Sequence, residues 1–174
     1  MTCTPAFAAG HYVADFTETR TLAGMSEPLV LYGHLDFSPG KQLLWEINRP
    51  YHYSFEIRDQ RIEETLPDGS RNTSPLDKTP WAEALFSLFS ALFSGDANAL
   101  SRYFAVTHDA NGLILVPRSE MLAKSVNRIT VVGTPVPQTV TIEEAGGNRT
   151  QLAFTPQGPL PPITAGAPAS AGRQ

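Results

Sequence analysis

Leu29-Val30-Leu31-Tyr32-Gly33-His34-Leu35-Asp36-Phe37 alternates with a period of two: Leu29, Leu31, Gly33, Leu35 and Phe37 fall on one side, Val30, Tyr32, His34 and Asp36 on the other. That period is the signature of a strand with one buried face. Ser38-Pro39-Gly40-Lys41 then reads as a turn, and Leu43, Trp45 and Ile47 continue on one face of a second strand. Asn48-Arg49-Pro50 interrupts the run, after which Tyr51, Tyr53, Phe55 and Ile57 alternate with His52, Ser54, Glu56 and Arg58. A further strand spans Arg61 to Leu66 and closes on the turn Pro67-Asp68-Gly69-Ser70. Clean alternation in consecutive, tightly turned segments is what an antiparallel sheet with one wet face requires.

The pattern changes at Thr79-Pro80, a helix start with proline in the first turn. From Trp81 to Phe93 the polar positions are Glu83, Ser87 and Ser90, with Ser94 next, and they lie on one narrow stripe. Everything else in that stretch is apolar, an arc of about two-thirds of the circumference where a helix resting on a core shows little more than 100°. Two readings stand at this point: a core helix buried on both sides, or a lid whose second apolar face lines a hydrophobic cavity. Gly95 can end the helix, and Asp96 can cap a second short one running through Phe104.

Strands return in the last third. Tyr103 to His108, the turn Asp109-Ala110-Asn111-Gly112 and Leu113 to Val116 read as a hairpin. Ser119 to Lys124 reads as a helical turn. Asn127 to Val132 and Gln138 to Glu144 pair across Gly133-Thr134-Pro135, and Gly146-Gly147-Asn148 turns into Thr150 to Phe154. The expected organisation is an N-terminal segment over 1–14, one domain over 15–154, and a Pro/Ala/Gly tail over 155–174 with too few core-forming residues to fold.

Composition fits this layout and excludes several functions. The 174 residues carry 15 prolines and 13 glycines, against an all-helical bundle. A net charge of −4 lacks the basic stripe of a phosphate-tracking protein, so no nucleic-acid partner is expected. A single cysteine, Cys3, rules out an internal disulfide and a zinc site built on cysteine pairs. No apolar run reaches the ~20 residues of a membrane-spanning helix, and no basic-then-apolar leader opens the chain. The four histidines (His11, His34, His52 and His108) show no helical metal spacing, and nucleophile-elbow and phosphate-loop motifs are missing. Glu63-Glu64 and Glu143-Glu144 point to opposite faces of their strands within each pair. No catalytic residue, metal ligand or cofactor is expected.

The order of the segments resembles the LolA-like outer-membrane lipoprotein carriers. Asp15-Phe16-Thr17-Glu18-x-Arg20, Glu27-Pro28-Leu29-Val30-Leu31-x-Gly33-x-Leu35, Leu43-Leu44-Trp45 and Arg49-Pro50-Tyr51 carry the resemblance. Leu92-Phe93-Ser94-Gly95-Asp96, Tyr103-Phe104, Leu113-x-Leu115-x-Pro117, Ile129-x-Val131-x-Gly133 and Ile142-Glu143-Glu144 follow in the same order, so that the match runs from Ala14 to Phe154. It implies an α+β, mainly β fold: an incomplete, open antiparallel β-barrel with a short helical lid over a hydrophobic cavity. It also implies a monomeric periplasmic carrier, its signal peptide removed, which takes acylated lipoprotein or other acyl cargo from an inner-membrane donor to an outer-membrane acceptor. The cavity and lid would be formed by Leu31, Leu35, Phe37, Trp45, Tyr53, Phe55, Trp81, Leu85, Phe89, Leu92, Phe93 and Phe104.

The departures from that family are specific. Its better-known carriers hold the lid closed by hydrogen bonds from an arginine in the turn before the strand tryptophan, whereas Phe37 to Leu44 contains only Lys41. Gly147-Asn148 replaces a more usual Gly-Asp, Leu113 stands where an aromatic is common, and the N-terminal helix is shortened before Asp15. They mark a divergent branch, whose cargo can be another lipid. Two further classes stay open on the residues alone: an enzyme on a lipid-like substrate with His34 or His108 as base, and a structural interaction module.

Overall fold

A computed structural model describes residues 11–133 and 136–156. One antiparallel sheet of 11 strands organises them, in the order β6-β5-β4-β3-β2-β1-β11-β10-β9-β8-β7. The strands are β1 (Tyr12–Thr21), β2 (Leu29–Ser38), β3 (Gln42–Arg49), β4 (Tyr53–Arg58), β5 (Arg61–Thr65), β6 (Arg71–Pro75), β7 (Phe104–Asp109), β8 (Gly112–Pro117), β9 (Val126–Val132), β10 (Thr139–Glu144) and β11 (Arg149–Pro156). The two ends of the order, β6 and β7, do not pair, so the barrel is open, as the sequence implies. A 3₁₀ turn (Leu76–Lys78) leads into α1 (Pro80–Ser94) and α2 (Ala97–Tyr103), inserted between β6 and β7, and a one-turn helix α3 (Glu120–Ala123) links β8 to β9.

The alternation legible around Leu29 becomes the inner face of the sheet. Leu31, Leu35 and Phe37 of β2, Leu43, Trp45 and Ile47 of β3, and Phe55 and Ile57 of β4 are all buried. Across the sheet the same face continues through Leu152 and Phe154 of β11, Val140 of β10, Ile129 and Val131 of β9 and Leu115 of β8. Two strands lay outside the alternation read from sequence. β6 is short and mostly exposed, and β1 is central, paired with both β2 and β11. Because β1 begins at Tyr12 and β11 runs to Pro156, residues 12–14 and 155–156, placed by sequence in the flanking segments, belong to the sheet. Cys3, Met1 and the tail beyond Pro156 lie outside the described residues.

Gly33 has a packing reason to be glycine. It faces inward opposite Phe16 of β1 and Ile47 of β3, and a Cβ there would collide with the Phe16 ring and the Glu46 carbonyl oxygen. The missing side chain is the space in which Phe16 lies, tilted on Trp45 with ring centroids 4.1 Å apart.

Helix boundaries follow the expected chemistry. Pro80 occupies the first turn of α1, and Gly95 ends it in the left-handed region at φ 68°. Asp96 accepts a hydrogen bond from the Ala99 amide at 3.0 Å and so caps α2. This helix ends at Tyr103; Phe104, expected as its last residue, already starts β7 and is buried.

Candidate ligand groove

α1 lies on the inner face of the sheet, and aromatic rings make the contact. Phe89 meets Trp45 edge-on at 5.9 Å and Phe37 at 6.2 Å. Phe93 packs on Phe37 at 5.3 Å, Tyr12 at 4.6 Å and Phe154 at 6.4 Å, and Phe86 meets Phe37 at 6.3 Å. Rings from β1, β2, β3 and β11 thus converge on one face of the helix. Each such pair adds about 0.5–1.5 kcal/mol beyond its area burial. Among the described residues no side-chain hydrogen bond or ion pair joins α1 to the sheet. Lys41, in the turn where the better-known carriers place their latch arginine, is exposed. Packing holds this helix down.

The 12 side chains expected around the cavity separate into two groups. Leu31, Leu35, Phe37, Trp45, Phe55, Phe89, Leu92, Phe93 and Phe104 are buried and belong to one continuous apolar cluster, with Tyr53 and Leu85 half-buried against it. Trp81 differs. Expected in the roof, it is 48 % exposed at the start of α1 and meets Phe55 edge-on at 5.5 Å. The reason is helical geometry: Ala82, Phe86, Phe89 and Phe93 take the sheet-facing stripe, and Trp81 falls beside it with Leu85 and Leu88. Those three and Leu92 form a second apolar stripe, exposed at Trp81, half-buried at Leu85 and Leu88, and buried at Leu92. Two clefts flank the helix. One of about 350 Å³ is lined by Ser87, Ser90 and Ser94 of α1, Arg102 and Tyr103 of α2 and the β2–β3 turn. The other, of about 490 Å³, lies between Phe86, Leu76 and the β2–β3 and β4–β5 turns.

Sequence reasoning missed the polar members of the inner face. Glu18 of β1 is 4 % exposed and receives a hydrogen bond from Arg20 Nε at 2.5 Å. Tyr53 donates to Glu64 Oε1 at 2.8 Å, and burial followed by that hydrogen bond pushes its phenol far above the usual tyrosine range. Burial alone pushes Tyr12 up to about 12. The available signal was the period of two itself: Tyr12, Ala14, Phe16, Glu18 and Arg20 share one side of β1.

The histidines do not assemble. His34 bonds Asp15 at 3.0 Å, His11 bonds Asp36 at 2.7 Å and His52 lies 3.7 Å from Glu46, all on the outer face. His108 sits across the sheet on the inner side of β7, exposed, so the two histidines considered as bases share no site. No group of three or more metal-ligating side chains occurs among the described residues. No helix among them is long and apolar enough to cross a membrane.

An open antiparallel sheet that curls around an apolar helix held by rings defines a half-barrel of the carrier type. The chain belongs to the LolA-like outer membrane lipoprotein carrier protein family, whose profile matches residues 6–144. Among solved structures, a LolA superfamily protein from Nitrosomonas europaea superposes with a TM-score of 0.46 at 8 % identity, covering 88 % of each chain. No curated protein sequence matches the chain.

Proposed function

We propose that this protein is a non-enzymatic, monomeric periplasmic carrier that binds acyl chains of lipoproteins or other lipids and passes them from an inner-membrane donor to an outer-membrane acceptor. One observation carries the reading: α1 presents a ring face docked on the groove and a second apolar stripe, Trp81, Leu85 and Leu88, that protein does not fully cover. Family membership supports a carrier of acylated cargo. Elementary energetics explains why such a carrier is needed. Exposing a 16-carbon chain to water costs on the order of 12 kcal/mol at about 0.8 per CH₂, so unassisted crossing of an aqueous space is negligible. Release to an acceptor demands that the groove hold its cargo no more tightly than the acceptor does. A helix fastened by packing alone can lift, because the ring contacts it loses are replaced by contacts with the chain.

The test is titration with a fluorescent 16-carbon acyl probe. Saturable binding at one site per chain is expected; titration without saturation overturns the reading.

A further inference from the structure

Along the inner face of β1, rings give way to charge. Tyr12 and Phe16 lie towards α1; two residues past Phe16 comes Glu18, the one charged side chain buried among the described residues, and then Arg20. Glu18 stands in register between Leu31 of β2 and Leu152 of β11, and Arg20 between Leu29 and Thr150. The rings under α1 come from the start of β1 and the ends of β2 and β11, so Arg20 lies at the opposite end of the sheet's inner face. More polar groups gather there. Thr150 Oγ1 and Asn148 Nδ2 donate to the two oxygens of Glu144 at 3.3 Å each, and at the same end of the sheet Tyr53 is held by Glu64.

Stability does not require this arrangement. A carboxylate and a guanidinium set among leucines lose about as much in desolvation as they gain from each other, and apolar residues of similar size would serve the fold as well or better. Arg20 spends only Nε on Glu18; its side chain is 41 % exposed, and its two Nη groups have no hydrogen-bond partner among the described residues. The charge around Arg20 is lopsided, with Glu18 and Glu144 against Arg20 alone. An anion placed beside Arg20 would meet two carboxylates. A neutral carbonyl would meet free N–H donors without that repulsion.

We propose that this polar end selects acyl ligands by their head group, accepting uncharged ester or amide carbonyls through Arg20 Nη and rejecting carboxylate and phosphate heads of equal chain length. The inference rests on the acyl-carrier reading and narrows it to neutral-headed acyl ligands. Three probes separate the two at pH 8: monopalmitoylglycerol, palmitate, and N-phenylnaphthylamine, an apolar fluorophore without a polar head. Monopalmitoylglycerol is expected to bind at least about tenfold more tightly than palmitate. Arg20→Gln should weaken monopalmitoylglycerol about five- to tenfold, the value of a lost hydrogen bond, and leave N-phenylnaphthylamine unchanged. Glu144→Gln, at a half-buried position, should raise palmitate affinity; Glu18→Gln should do the same wherever its circular dichroism matches the parent protein. Equal affinity for the two lipids, a preference for palmitate, or an Arg20→Gln loss shared equally by all three probes overturns the head-group inference. Binding of none of the three overturns the carrier reading itself.

Discussion

Replacing Phe89 by alanine separates a lid from a core helix, because the two roles predict opposite changes in binding. Phe89 is 5 % exposed and its ring meets Trp45, Phe37 and Phe93 at 5.9, 6.2 and 5.7 Å. Truncating a ring so placed costs about 3–5 kcal/mol in the closed, empty protein. At roughly 2–4 °C per kcal/mol for a chain of this size, the melting temperature should fall by about 6–20 °C. If α1 lifts when an acyl chain enters, Phe89 has already left Trp45 and Phe37 in the loaded state, and the substitution penalises that state less. The closed form is then destabilised relative to the open one, and apparent affinity rises by the gain in open population. Should even a third of the cost be confined to the closed state, about 1–1.7 kcal/mol, binding of the 16-carbon probe tightens about five- to twentyfold. Differential scanning fluorimetry and probe titration on the same samples, well below the lowered melting temperature, read both numbers. A protein that melts earlier and binds more weakly in proportion would refute the lid, since that is how a helix forming part of a fixed binding wall behaves.

Two further substitutions test the frame around the groove. Gly33→Ala should destabilise the protein by about 1–3 kcal/mol in urea melts, because the added methyl meets the Glu46 carbonyl, which is backbone in a paired strand, and the Phe16 ring; an unchanged midpoint would mean that β2 and β3 are not packed as described. The buried Tyr12 phenol, pushed up to about 12 by desolvation, is neutral in the folded protein over a range where the unfolded chain ionises near 10. Its contribution is therefore fully present below pH 10 and is lost as pH rises from 10 towards 12, by about 2–3 kcal/mol in all. Tyr12→Phe should flatten that alkaline decline in denaturant melts between pH 9 and pH 12, and an equally steep decline in the variant would contradict the burial of the hydroxyl.

How far the sequence discloses this molecule depends on which kind of regularity each part uses. β2, β3 and β4 are legible because one face is buried and the other wet, so period two is written into them, and their inward residues are those observed. β6 is not, since Arg71-Asn72-Thr73-Ser74-Pro75 is an edge with almost nothing to bury and hence no pattern to display. β1 escapes for the opposite reason. Its inner side mixes Tyr12, Ala14 and Phe16 with Glu18 and Arg20, and an apolar-versus-polar count breaks at the two residues that give the inner face its polar end. In α1 the width of the apolar arc is visible but its division is not. Only contact with the sheet decides that Phe89 and Phe93 go under while Trp81 stays half out.

That division bears on how a carrier can bind and still release. Apolar surface left in water costs about 25 cal/mol per Å², and the Trp81, Leu85 and Leu88 stripe leaves part of its apolar surface uncovered by protein. An incoming chain that covers the stripe recovers that cost, which favours loading. Loading by lifting the helix also gives up the Phe89 and Phe93 contacts with Phe37 and Trp45, which favours closing again once cargo has gone. The two terms oppose each other and arise from adjacent faces of one helix, so the net affinity is set by their difference rather than by the size of the groove. A latch arginine would add a hydrogen-bond term to the closed side. With exposed Lys41 in its place, a lid role for α1 would rest on ring packing, and the balance should respond more to the size of the rings at positions 86, 89 and 93 than to any polar substitution in the turn from Ser38 to Lys41.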